Sequence, residues 1–149
     1  MKIIVDANIV FSAILNTNSK IADLLLNSKG IFEFIAPDYL LTETKKYHKK
    51  ISLISKMTLT EIATIENKII KPISFLSGVH IPESKWISAE QLVLDVDSKD
   101  TPYVAFSMFF KCKIWSGDKI LRNGLITKGF SNVITTSELF ELREMKRKK

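Results

Sequence analysis

Cysteine and histidine are almost missing from this chain. Its 149 residues contain one cysteine, Cys112, and two histidines, His48 and His80. A single thiol excludes an internal disulfide and any zinc site built on several cysteines. Glycine is scarce too, and none follows the first apolar run, Ile3 to Val5. A dinucleotide-binding first turn, which needs glycines so that the backbone can approach a pyrophosphate, is therefore absent. No apolar stretch reaches the roughly 18 residues of a membrane span. Asp6 cuts the first apolar run short, so no secretory signal is expected either. The expected setting is cytoplasmic, with no membrane partner.

What is present is an ordinary globular composition, 46% apolar and 26% charged, with a net charge of +6. That charge favours a polyanionic partner, most often nucleic acid. The length suits one domain, read here as residues 1–145, with a basic tail at 146–149. Residues 2–6 (KIIVD) read as a strand buried on both faces. FEFIA at 32–36, Val79 to Ile81, CKIWS at 112–116 and NVIT at 132–135 read as further strands. Between them lie helical patterns at 9–15, 20–28, 84–94, 102–111, 118–127 and 136–146. One long helix is expected from Asp38 to about residue 56. It would pair as a hairpin with another that opens on a Thr58–Glu61 capping box and ends near Pro72. The apolar residues of this hairpin exceed what one small core can cover. Strands alternating with helices argue for an α/β fold on a parallel sheet, whose sites gather at the carboxyl ends of the strands.

Four carboxylates fall at or just beyond strand-to-helix junctions: Asp6, Glu43, Asp100 and Asp118. Each has an ordinary reading. Asp6, Asp100 and Asp118 can each cap a helix, a role that stabilises by about 1 kcal/mol, and Glu43 can pair with Lys46 on a helix surface. Together they form a set that would repel itself without a hard cation such as Mg²⁺, which takes oxygen ligands. His48 reads as a packed helix residue and His80 as a surface residue, not as ligands.

The segments MKIIVDANIVFSAIL, APDYLLTE, DSKDTPYVAFS and IWSGDKIL resemble, in order and spacing, the four motif blocks of PIN-domain ribonucleases. The likeness spans essentially the whole chain and is nearest to prokaryotic members grouped as toxins of toxin–antitoxin pairs. It implies a three-layer α/β/α sandwich around a mainly parallel sheet. It also implies an endoribonuclease that uses Mg²⁺ or Mn²⁺ to activate water against RNA phosphodiesters. The family's acids fall on Asp6, Glu43, Asp100 and Asp118, and its orienting polar residues on Asn8 and Ser116. In LDVDSKD, Asp95, Asp97 and Asp100 compete for the third position. Asp100 fits best because a helix follows it directly, and Asp97 remains as an auxiliary ligand.

Helical spacing from Glu43 puts Lys46, Tyr47 and Lys50 on one face, a basic stripe suited to an RNA backbone and equally to a solvated lysine face. A homodimer and a cognate antitoxin are the further partners the resemblance implies. A phosphatase of the haloacid dehalogenase type would need a second aspartate where Asn8 stands. A receiver domain would need acidic neighbours beside its aspartate. The remaining alternative is a non-catalytic PIN-like module that binds RNA or a partner without cutting.

Overall fold

The computed structural model describes residues 1–148. Strand β1 (Lys2–Val5) is the middle of a five-stranded, all-parallel sheet ordered β3-β2-β1-β4-β5. The others are β2 (Glu33–Pro37), β3 (Ile73–Leu76), β4 (Lys113–Trp115) and β5 (Val133–Ile134). Ile3, Ile4 and Val5 have no exposed surface, as a strand covered on both faces requires.

On one face, α1 (Ala7–Leu15) packs against α2 (Lys20–Leu26), α3 (Tyr39–Lys46), α4 (His48–Ser55) and α5 (Leu59–Ile70). On the other, α7 (Thr101–Phe110) lies against β1, β2 and β4 and carries α6 (Glu83–Val93), which meets α8 (Lys119–Thr127). The chain closes with α9 (Thr136–Arg147), docked on α2 through the buried Arg143 guanidinium, which donates to Asp23 Oδ2 at 2.6 Å. The result is the expected α/β/α sandwich. Among the described residues no helix is long and apolar enough to cross a membrane.

The strand order fixes where a ligand can sit. From β1 the chain steps to β2 and β3 on one side, then returns to β4 and β5 on the other. The loops leaving β1 and β4 therefore diverge, and the crevice between them is the usual site of an open parallel sheet.

Three expectations need correction. The third strand is Ile73–Leu76, not Val79 to Ile81, which form a turn closed by the Ile81 amide donating to the Gly78 carbonyl at 3.1 Å. The expected long helix is two, α3 and α4, broken at Tyr47, whose ring packs edge-on against Phe11 at 5.4 Å. No proline or glycine marks this joint. It is held by α5, where Glu66 accepts from Thr44 Oγ1 at 2.9 Å on one side of Tyr47 and meets His48 Nε2 on the other. The hairpin is therefore α4 with α5, each closing on the other across the Thr58–Glu61 capping box that begins α5. Finally, α9 runs to Arg147, one residue past the expected 146, and Arg147 Nη2 donates to the Asn27 carbonyl at 2.8 Å. Lys149 lies outside the described residues.

Gly78 carries the corrected turn under Trp86, where a β-carbon would come within 2.5 Å of the indole. Gly78→Ala should therefore cost about 1–3 kcal/mol by overpacking, read as a lower urea midpoint with a changed tryptophan emission. An unchanged midpoint would mean that the indole moves aside freely.

Candidate active site

At the carboxyl edge of β1 and β4 lies a pocket of about 270 Å³. Its wall brings together Asp6, Asn8, Glu43, Asp97, Asp100 and Asp118, with Tyr47, Lys50, Lys99 and Phe11 around them. Each acid arrives on a different piece of chain. Asp6 ends β1, and its amide stays tied to the sheet by donating to the Trp115 carbonyl at 3.2 Å. Glu43 sits in the second turn of α3 with its carboxylate turned inward. Asp100 closes a short 3₁₀ turn, Ser98–Asp100, and Pro102 then sets the start of α7. Asp118 precedes α8 and accepts from the Ile120 and Leu121 amides, both at 3.0 Å.

Ser116 is the hub between β1 and β4. Its hydroxyl donates to Asp6 Oδ2 at 2.7 Å and accepts from the Asp118 amide at 3.1 Å. Asn8 reaches the same oxygen with its amide at 3.4 Å. The hydroxyl proton is therefore committed to Asp6 Oδ2, while Asp6 itself lines the pocket. Glu43 has a comparable support that the sequence reading did not single out: Tyr103, itself buried, donates its hydroxyl to Glu43 Oε1 at 2.5 Å. The signal was available. A tyrosine on an otherwise apolar buried helix needs a partner for its hydroxyl.

The electrostatics follow from burial. Asp6 is pushed up to about 6, chiefly by desolvation, against the Ser116 hydrogen bond that lowers it and with Glu43 nearby raising it further. Glu43 is also raised by desolvation, partly offset by Tyr103 and Lys46. Asp100 is pushed up to about 8, first by desolvation and then by Asp6, Asp97, Asp118 and Glu43 in turn. One of its oxygens, Oδ2, is buried and has no hydrogen-bond partner.

Asp97 lines the wall but is exposed, and spends one oxygen on the Lys99 amide at 3.0 Å. Asp95 is turned away into an ion pair with Lys128. Of the expected basic stripe, Tyr47 and Lys50 line the pocket, whereas Lys46 stays on the solvent side; Lys99 joins the wall instead. Neither histidine is there. His48 is engaged by Glu66, and His80 lies exposed in the turn after β3.

Among the described residues, no three acidic, histidine or cysteine side chains are already drawn together as a coordination shell. Carboxylates that repel across a pocket do not close on one another unaided. The donor chemistry nonetheless fits a hard divalent cation: oxygens only, one of them buried without a partner.

The PIN domain family profile matches residues 4–143. Among solved structures, PAE2754 from Pyrobaculum aerophilum shares the fold at a TM-score of 0.70 and 10% identity, covering 97% of this chain and 96% of that one. VapBC2 from Rickettsia felis, determined bound to a DNA fragment from its promoter, aligns at a TM-score of 0.65 and 11% identity, covering 91% and 97%. At such identities the likeness establishes the fold alone. No curated protein matches the sequence.

The raised carboxyls make a stability prediction with a definite sign. Asp6 and Asp100 hold their protons more tightly folded than unfolded, where aspartate titrates near 3.8. Their contribution is therefore fully present below that value and is lost as pH rises through about 6 and then about 8. The metal-free protein should melt at falling temperature across this window, and Asp100→Asn should flatten the upper part of the decline. A metal-free wild type whose melting temperature rises from pH 6 to 8 would contradict the burial of these groups.

Proposed function

The chain belongs to the PIN-domain family, and from that premise we propose that it is a divalent-metal-dependent endoribonuclease, the toxin of a toxin–antitoxin pair. PIN domains are generally nucleases and typically use divalent metals. The observation that carries the reading here is Asp100 Oδ2, buried and unpartnered in a pocket shared with Asp6, Glu43 and Asp118. Structural carboxylates find donors; this one belongs to a carboxyl that Asp6, Asp97, Asp118 and Glu43 all push up, an arrangement that a cation relieves.

Asp6, Glu43, Asp100 and Asp118 would hold Mg²⁺ or Mn²⁺, with Asp97 at the outer side. When bound, the ion supplies an activated water and offsets charge on the scissile phosphate. The protein's own part is positioning. Ser116, whose hydroxyl oxygen accepts from the Asn8 amide, fixes Asp6, Tyr103 fixes Glu43, and the Asp118 carboxylate is held by two amides of α8. Lys50 and Lys99 on the wall attract the phosphate backbone, Lys46 adds charge from the solvent side, and Tyr47 beside Phe11 offers a ring to an unstacked base. With His48 held by Glu66 and His80 remote, no histidine pair flanks the pocket to drive attack by the RNA's own 2′-hydroxyl.

RNA cleavage should then require Mn²⁺ or Mg²⁺, stop in EDTA, and leave a 5′-phosphate and a 3′-hydroxyl on mass spectrometry of a cleaved oligonucleotide. Asp6→Asn and Asp100→Asn should abolish it with circular dichroism unchanged. Asp97→Asn should weaken metal affinity by about 10–100-fold, the scale of outer-shell partners. A 2′,3′-cyclic phosphate end, or full activity in EDTA, would overturn the mechanism. RNA binding with no cleavage in any metal would favour the non-catalytic module.

The proposal includes a homodimer. Leu53, Ile54 and Leu59, at 83%, 57% and 54% exposure, crowd the turn between α4 and α5, an apolar patch with no cover in one copy. Light scattering at micromolar concentration should give twice the protomer mass, falling to one for Leu53→Glu. A wild-type monomer would remove this part of the reading.

A further inference from the structure

The edge of the sheet opposite the acid pocket has its own groove, of about 890 Å³. It lies between the carboxyl-terminal ends of α2 and α5 and the first residues of β1, β2 and β3. Its lining is chiefly apolar: Leu25, Leu26, Ile31, Phe32, Phe34 and Pro72 contribute to it. Met1 and Leu26 at its margin remain 50% and 45% exposed, as apolar side chains without cover.

The rim is basic. Lys29, Lys68 and Lys71 border the groove, and Lys2, Lys111 and Lys113 surround a smaller hollow that shares Met1 with it. All six are exposed, and among the described residues none is in an ion pair with a carboxylate. Across both linings the one acid is Glu33. An apolar floor inside an unneutralised positive rim is complementary to a ligand that is both apolar and acidic.

Nucleic acid matches the charge but not the floor. Phe32 and Phe34 are buried and present no open ring for a base to stack on. Aliphatic carbons give a phosphate backbone nothing to bond. A peptide that lays leucine or phenylalanine side chains inward and carboxylates outward uses both features.

We propose that this groove docks an acidic amphipathic segment of a partner protein, its apolar side chains on Met1, Leu26, Ile31 and Pro72 and its carboxylates against Lys29, Lys68 and Lys71. The surface is separate from the acid pocket, so a partner held here leaves the pocket open. The groove carries recognition and no chemistry.

The test is fluorescence anisotropy with a labelled synthetic peptide carrying Leu or Phe at helical i, i+4 and i+7 spacing and Glu elsewhere. The full-length protein should bind it. Leu26→Glu, and separately the pair Lys68→Glu and Lys71→Glu, should each weaken binding by about tenfold or more, with circular dichroism unchanged. The charge-reversed pair should in turn prefer a probe with Lys in place of Glu, a rescue that misfolding cannot produce. Asp100→Asn, which disables the acid pocket, should bind the peptide like wild type, so the two sites fail or survive independently. Three results would overturn the proposal: equal affinity for an all-Glu peptide, displacement of the probe by an oligouridylate of equal charge, or wild-type binding by both groove variants.

Discussion

Asp100 is a carboxylate that burial and four neighbouring acids hold against ionisation, and the carboxyl edge of the sheet is organised around it. Its position is fixed by backbone, not by its own side chain. Asp97 caps the 3₁₀ turn before it, Thr101 Oγ1 donates back to the Ser98 carbonyl at 2.7 Å, and Pro102 prevents the turn from extending α7 backward. The protein thus keeps a group in a place unfavourable to its charged form, as sites poised for a ligand do.

The scaffold that permits this is the buried middle of the sheet. β1 and β4 are neighbours whose loops diverge, so residues far apart in sequence, Asp6 and Ser116 among them, meet with little slack. Ser116 then serves both loops at once, donating to the end of β1 and accepting from the start of α8. On the flank, α7 does the same for the helical layer. Its Tyr103 crosses beside the sheet edge to reach Glu43 on α3, linking the two helical layers at the pocket. Rigidity of this kind limits how far any of the acids can relax away from the others, and it is supplied by packing around Ile3, Ile4, Val5, Ile114 and Trp115, strand residues with no exposed surface.

Much of this was legible in the sequence because it depends on local pattern. Short apolar runs gave β1, β2 and β4, the Thr58–Glu61 box gave the start of α5, and the junctions drew attention to Asp6, Asp100 and Asp118. What stayed hidden depends on contacts across the fold. The break at Tyr47 has no local breaker and exists because Glu66, on another helix, grips Thr44 and His48 on either side. Ile73–Leu76 becomes a strand because β2 offers it an edge, while the Val79–His80–Ile81 stretch, with a similar composition, is turned aside at Gly78 beneath Trp86. Lys46 shares α3 with Glu43 yet stays exposed, and the 3₁₀ turn at Ser98–Asp100 brings Lys99 to the pocket wall instead, a placement that no helical spacing from Glu43 could show.

The two edges of the sheet carry opposite chemistry, and part of that follows from helix dipoles alone. Asp6, Asp100 and Asp118 stand at the amino ends of α1, α7 and α8, while Lys68 and Lys71 mark the carboxyl end of α5 and Lys111 that of α7. Each charge is where a helix would favour it, by typically 0.3–1 kcal/mol. Dipoles do not account for how the acids are bonded. Asp118 behaves as a helix cap should, accepting two backbone amides. Asp6 and Asp100 occupy the same kind of position, yet neither side chain caps its helix. Asp6 is turned to Ser116, and Asp100 Oδ2 is turned to nothing the protein supplies. An amide one turn away would have satisfied that oxygen; it stays unpaired in a carboxyl that burial and the neighbouring acids push up, a departure from ordinary capping that helix dipoles do not explain.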